Sequence, residues 1–275
     1  MRLLIFGMGY TARAIADRLE PHGWRVAGTT RDGRAGTIAF ADHDRVAFEA
    51  RAATAILSSI PPDTDGDPVL NTYRDLLDGP VLAYLSSTGV YGDAGGGWVD
   101  EASPIAGRRV GRNAADADWL AMGARVFRLP GIYGPGRSPL DRVAEGKAHR
   151  VDLPDQVFSR IHVADIADGV ARGLTAPAGA YNLADDLPCS QNEVVAYAAA
   201  LLGLAPPPFV PLESLSPMAR AFYAENRRVA NGRAKRVLGW TPAYPDYRFG
   251  LRALSATTSP TSASAAPAPA KSDQR

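Results

Sequence analysis

Leu3-Leu4-Ile5-Phe6-Gly7-Met8-Gly9-Tyr10-Thr11-Ala12 reads as a buried strand running into a glycine turn and then a helix. Four consecutive apolar residues suit a strand covered on both faces, as in a parallel sheet. Gly7 permits the tight turn. Gly9 lets the backbone approach a ligand where a Cβ would collide, and Ala12 allows close helix–strand packing. A helix that starts there points free N–H groups and a positive dipole end at whatever sits over the turn. The G-x-G-x-x-A pattern in this context predicts a pyrophosphate, and so a dinucleotide, held by Gly7, Met8, Gly9, Tyr10, Thr11 and Ala12.

Outward from the turn, Ala12, Ile15, Ala16 and Leu19 are spaced as one helix face over Thr11 to Glu20, and Pro21 and Gly23 end it. Trp24 to Thr29 follows as a strand, which completes a βαβ unit with a right-handed crossover. The alternation continues with strands at Thr37 to Ala41, Ala53 to Ile60, Val81 to Ser86 and Ala124 to Leu129. Helices are expected at Val69 to Leu77 and Ala114 to Met122. Such alternation predicts an α/β fold, a doubly wound parallel Rossmann sheet. Beyond residue 134 the pattern loosens, with a helix at Asp165 to Leu174, a strand at Ala180 to Leu183 and a helix at Gln191 to Leu202. The expected organisation is one domain over 1–252. It has a core of about 1–134 plus returning segments and a smaller C-terminal subdomain at about 180–252. Residues 255–275, Ser, Thr, Ala and Pro with almost no bulky apolar residue, read as a disordered tail.

The 275 residues carry 30 Lys+Arg against 29 Asp+Glu, a balance that excludes a strongly basic nucleic-acid binder. The single Cys189 excludes an intramolecular disulfide framework and a Cys-rich metal site; no metal site is expected. The longest apolar run, Val194 to Ala205, is too short to span a bilayer, and Met1-Arg2 opens no secretory leader. The expectation is a soluble cytoplasmic protein with a small-molecule substrate, no nucleic acid or membrane partner, and a homodimer left open.

The second strand ends in Thr29-Thr30-Arg31. The acidic residue that holds the ribose 2′-OH of NAD belongs near Thr30 and is not there. Arg31 can pair with a 2′-phosphate, so NADP is favoured and NAD is the alternative, with the nearby Asp32 arguing the other way. Ser58, Ser59 and Ile60 close the fourth strand, at the carboxyl end of the sheet where ligands of open α/β sheets sit.

Three further segments are Ser86-Ser87-Thr88-Gly89-Val90-Tyr91-Gly92-Asp93, Arg128-Leu129-Pro130-Gly131-Ile132-Tyr133-Gly134-Pro135 and Ile161-His162-Val163-Ala164-Asp165-Ile166-Ala167. With the Gly7 turn, in this order and spacing, they resemble the extended short-chain dehydrogenases/reductases, the NAD-dependent epimerase and dehydratase group. The resemblance implies an NAD(P)-dependent oxidoreductase or epimerase on a small polar or nucleotide-linked substrate. It implies that Ser87 hydrogen-bonds the reacting oxygen, and that Pro130 flanks the cofactor.

The resemblance also implies a Tyr-x-x-x-Lys dyad, and here the chain departs. Anchored on Gly111-Arg112, the Tyr position holds Val110 and the Lys position Ala114. Residues 93–132 contain no Tyr, and Lys147 is the first lysine, followed by Lys235 and Lys271. The chain in this respect is similar to the atypical YeeZ-type subgroup. Tyr91 and Tyr133, just past strand ends, become the candidate proton donors. Arg112, Arg160 and His162 become candidate substrate contacts, with Arg108 and Arg109 completing a basic cluster beside Arg112. Asp165 has the identity of a helix cap. The loop at Gly95-Gly96-Gly97 has the composition of a mobile cleft wall. A competing reading keeps the dinucleotide and drops the chemistry: a redox sensor or scaffold on a degenerate dehydrogenase fold.

Overall fold

Leu3 to Phe6 are at most 1% exposed, which the continuous apolar run requires. They form β1 (Arg2–Phe6) in a computed structural model that describes residues 1–258. Helix α1 (Tyr10–Leu19) buries Ala12, Ile15, Ala16 and Leu19, and it ends in a short 3-10 turn closed by Gly23 at φ +81°. The chain then builds β2 (Arg25–Thr30), β3 (Ile38–Ala39), α2 (His43–Ala52), β4 (Ala55–Ser58), α3 (Pro68–Tyr73) and β5 (Val81–Ser87). Next come β6 (Trp98–Val99), α4 (Val110–Ala121), β7 (Arg125–Leu129), β8 (Gly131–Tyr133), α5 (Pro139–Ala144), β9 (Arg160–His162) and α6 (Val163–Gly173). The last part holds β10 (Gly179–Asn182), α7 (Gln191–Leu201), α8 (Pro217–Tyr223), β11 (Arg228–Val229), α9 (Gly232–Leu238) and α10 (Tyr247–Thr258).

The central sheet runs β10-β7-β5-β4-β1-β2-β3, and all its neighbours pair in parallel. From β1 the chain winds outward through β2 and β3, then returns to β4 and winds the other way. The order therefore reverses between β1 and β4, and a crevice opens at their carboxyl ends. One face of the sheet packs α1 and α6 around Ile5, Ile15, Leu57, Phe127 and Ile166. The other packs Val46, Tyr73 and Trp119 of α2, α3 and α4 against Phe6 and Tyr84. Gly173 of α6 lies against the Phe127 ring, an approach that a Cβ would block.

A third cluster joins α5, α7 and α10 through Leu140, Val143, Val194, Ala198, Tyr247 and Leu251. This corrects the expected 180–252 boundary. Strand β10 is the outermost strand of the main sheet, and Ala234, Leu238 and Trp240 pack into the first core, whereas α5 belongs with the subdomain. Of the expected tail from 255, Ser255 to Thr258 continue α10, and the remainder lies outside the described residues. Among the described residues no helix is long and apolar enough to cross a membrane.

Candidate functional site

The turn after β1 is held from below. Met8 N–H donates to Thr29 O at 2.7 Å, Gly7 N–H to Thr29 Oγ1 at 3.2 Å, and Gly9 N–H to Gly7 O at 2.7 Å. Gly7 sits at φ +87°, and a Cβ there would press on Ile60 Cγ1 at 2.8 Å. Here the segment after β4 meets the turn. Gly9 is the N-cap of α1, no side chain caps that helix, and no acid lies in its first turn. A Cβ on Gly9 would meet nothing within 4 Å. The first-turn amides of Tyr10, Thr11 and Ala12 have no hydrogen-bond partner among the described residues and stand at the positive end of a helix, the arrangement that takes a phosphate. The side chains beside these amides point inward. Thr11 and Ala12 are buried, Met8 packs on Gly28, and the Tyr10 ring lies under Gly134 with its hydroxyl unpartnered.

At the end of β2, Thr30 Oγ1 shares a hydrogen bond with Thr37 Oγ1 at 2.8 Å and donates to Asp32 Oδ1 at 3.2 Å. Asp32 also faces Arg34 at 3.8 Å, whereas Arg31 is exposed and has no hydrogen bond or ion pair among the described residues. The nearby carboxylate is therefore faced by Arg34, and Arg31 stays open to a ligand. Ser58 is fully buried with an unpartnered hydroxyl, so it faces the core rather than the crevice. Ser59 and Pro130 are part-exposed at the strand ends.

Ser87 closes β5. Its Oγ accepts the Gly89 N–H at 3.1 Å, which leaves its own proton to donate. Tyr91 does not join it. Its hydroxyl donates to Asn182 Oδ1 at 2.7 Å and accepts from Arg128 Nη1 at 3.0 Å, in a network that continues to Asp116. Asp116 holds Arg128 at 2.7 Å, accepts from Ser86 Oγ at 2.6 Å and is 1% exposed. Burial pushes the Tyr91 phenol up to about 12 against the pull of Arg128. The expectation of a proton donor at Tyr91 gives way to a structural cross-link. A position past a strand end fixes where the ring starts, not where its hydroxyl lies.

Tyr133 is corrected for the same reason. Its hydroxyl has no partner and packs against Gly250 of α10, and burial raises its pKa further. His162 is 4% exposed. Its Nδ1 accepts from Ala164 N–H at 3.2 Å, so it caps α6, and burial lowers it to about 4. A neutral ring wedged between Tyr133 and Tyr244 neither shuttles protons near pH 7 nor meets a substrate. Asp165, expected as that cap, instead accepts from Ala243 N–H at 2.7 Å and Tyr244 N–H at 3.1 Å. Arg160 is buried and spends its guanidinium on Phe158 O, Cys189 O and Gln191 Oε1, which removes it from any substrate role.

Val110 opens α4 and is 77% exposed. The arginines expected to cluster beside it point apart. Arg112 donates to Tyr84 OH at 2.8 Å, which ties it to β5. Arg108 donates to Glu225 Oε1 at 2.7 Å and to Ala221 O at 2.7 Å. Glu225 also holds Arg227, at 2.7 Å. Burial alone would raise the Glu225 carboxyl, but the hydrogen bonds from Arg227 and Arg108 outweigh it and keep the group ionised. Asn226 pins the glycine loop: its carbonyl accepts from Ala94 and Gly96 N–H, while its own N–H donates to Asp93. The expected mobile wall is thus held by this strap.

Glu225 and Arg227 escaped the sequence reading because they lie more than 130 residues from Ser87. The polar run Glu225-Asn226-Arg227-Arg228 before an apolar Val229 was the available signal. A cavity of about 410 Å³ opens elsewhere, lined by Glu101, Leu120, Arg128, Ala180, Arg233 and Arg236.

No family model matches the chain. A conserved protein of unknown function from Silicibacter pomeroyi superposes with a TM-score of 0.86 and 41% identity, over 94% of this chain and 99% of its own. The protein YeeZ of Escherichia coli is 28% identical over 247 residues, 76% of this chain and 86% of its own. A human epimerase family protein solved with NADPH superposes with a TM-score of 0.72 at 18% identity, over 93% of this chain and 99% of its own. The chain has the fold of the extended short-chain dehydrogenases/reductases and is similar in sequence to YeeZ.

Proposed function

We propose that the chain is an NAD(P)-dependent oxidoreductase or epimerase that acts on a small polar substrate, prefers NADP and works without a Tyr–Lys dyad. The reading is carried by the open space over Gly9, at an uncapped helix start in the crevice between β1 and β4. The NADPH held by the human structure of the same fold supports it. Gly7 to Ala12 would hold the pyrophosphate through backbone amides, Thr30 and Arg31 the adenosine ribose, and Ser59, Ile60 and Pro130 the remaining walls. When bound, the cofactor supplies the carbon that exchanges a hydride. The chain contributes the Ser87 hydroxyl, which donates to the reacting oxygen and fixes its orientation. Its place is the cytoplasm, and its near-zero net charge suits small molecules rather than nucleic acid.

Fluorescence titration with NADPH and NADH tests the preference. Arg31→Ala should lower the NADP-over-NAD affinity ratio by about tenfold, the worth of one charge-assisted pair with a phosphate. An unchanged ratio removes Arg31 from the site. The sensor or scaffold reading is favoured by one observation: Val110 and Ala114 hold the dyad positions on α4 and the Tyr91 phenol is tied to Arg128, so neither the dyad positions nor Tyr91 offers a free phenol. Turnover that depends on Ser87 separates the two.

A further inference from the structure

The strap at Glu225 brings an unspent donor to the end of β5. Arg227 gives Nη1 to Gly92 O at 2.6 Å and to Glu225 Oε2 at 2.7 Å, while its Nη2 has no partner among the described residues. Nη2 stands 3.9 Å, and Ser87 Oγ 3.3 Å, from the point a Cβ on Gly89 would occupy, so the two are no more than about 7 Å apart. Ser87 keeps its proton free because its oxygen is engaged by the Gly89 N–H. The Arg227 side chain is only 16% exposed, shares the Glu225 carboxylate with Arg108 and faces Asp93, and its Nη2 remains the unspent donor of this part-dry cluster.

We infer that Ser87 and Arg227 together bind a 2-oxo or 2-hydroxy acid. Ser87 donates to the carbonyl or hydroxyl oxygen, and Arg227 Nη2 donates to the neighbouring carboxylate. The inference rests on the oxidoreductase reading of the crevice and names the substrate class of that same site. The short spacing, no more than about 7 Å, fits this class. Hydrogen bonds of about 2.8 Å at each end leave room for two oxygens on carbons one bond, about 1.5 Å, apart. A neutral sugar linked to a nucleotide carries its nearest anion, the phosphate, several bonds from a reacting C4, whereas a 2-oxo acid carries its carboxylate on the next carbon. A guanidinium rather than an ammonium suits the role, because it can hold Glu225 with one nitrogen and a second carboxylate with the other.

Calorimetry on the protein saturated with NADP⁺ tests this without turnover. The probes are phenylglyoxylate against acetophenone and 2-oxobutyrate against 2-butanone, pairs that differ by a carboxylate in place of a methyl. Each acid should bind at least ~10-fold more tightly than its ketone. Arg227→Met should erase that preference while the NADP⁺ affinity and the melting temperature hold, and Arg227→Lys should restore part of it. If Arg227→Met fails to fold for want of its bond to Gly92 O, Arg227→Lys decides: a charge without the fork must weaken the preference. Equal binding of acids and ketones by the parent, or a full preference in both variants, overturns the inference. A parent that binds NADP⁺ without preferring the acids breaks this inference alone. A parent that prefers the acids but binds no NADP⁺ breaks the oxidoreductase reading and leaves the acid site standing.

Discussion

The glycine turn after β1 and the first half of α4 both lie at the carboxyl end of the sheet, and they are built in opposite ways. The turn is a run of neighbours whose backbone does the work: Gly7 bends, Gly9 stays clear and the α1 amides stay uncapped. Helix α4 shows an exposed Val110 where a catalytic phenol is expected, and turns Arg112 and Asp116 inward. Asp116 braces Arg128, and Arg112 braces Tyr84. The lesson is that binding and chemistry have separate physical supports here. One rests on consecutive residues and the other on groups gathered from distant segments.

The sharpest way to break the contrast is at Asp116. Asp116→Ala strands the Arg128 guanidinium, 3% exposed, without its carboxylate. It should cost about 3–5 kcal/mol by denaturant unfolding. A loss below ~1 kcal/mol would mean that α4 is not the brace described. At the turn the opposite result is expected. Gly9→Val places its Cβ where no protein atom lies within 4 Å, so the melting temperature should hold while NADPH affinity falls at least ~100-fold, about 2.7 kcal/mol. Undiminished binding would remove the pyrophosphate from the turn. Between the two stands Ser87→Ala. Once a substrate is in hand it should lower kcat/KM by more than ~10-fold with cofactor affinity nearly intact. Full activity would favour the sensor reading.

The smallest effect is a pH dependence far from either region. Asp185 is 1% exposed, and burial raises its carboxyl to about 8, weakly opposed by Arg160 and by a Leu187 amide that falls short of a hydrogen bond. The folded chain therefore keeps a proton that the unfolded chain releases near pH 4. The associated stability is present below that pH and is lost as pH climbs to 8. Asp185→Asn cannot ionise and should gain on the parent across this window, by upward of ~1 kcal/mol at pH 8. His162, lowered to about 4, gives the opposite limb: stability full above pH 6.5 and declining from there toward 4, in both proteins. A stability difference that stays flat from pH 4 to 8 would rule out an ionising Asp185.

The sheet and the turn were legible because their signals are local. Apolar runs, glycine spacing and helix periodicity all act within ten residues. Helix α2 was missed because it buries only Val46 and Ala50, and its start is marked by Asp42 alone. The cap of α6 was assigned to Asp165 by residue type, whereas a histidine ring nitrogen one turn earlier does the task. Arg160 and His162 sit in the expected motif yet face inward, since a motif places a backbone and packing then turns the side chain. Arg227 was out of reach for a plainer reason: nothing local ties it to Ser87.

The strap has a consequence for a growing chain on the ribosome. The β1–β4 crevice and its turn are complete once about sixty residues have emerged, but Arg227 arrives nearly 170 residues later. Domains tend to gain structure from the N-terminal side during synthesis. A nascent or clipped chain ending before Glu225 would therefore present the dinucleotide cradle with its glycine loop unpinned and one wall of its cleft missing. In such a chain, loading of the cofactor would precede any ability to select what meets it.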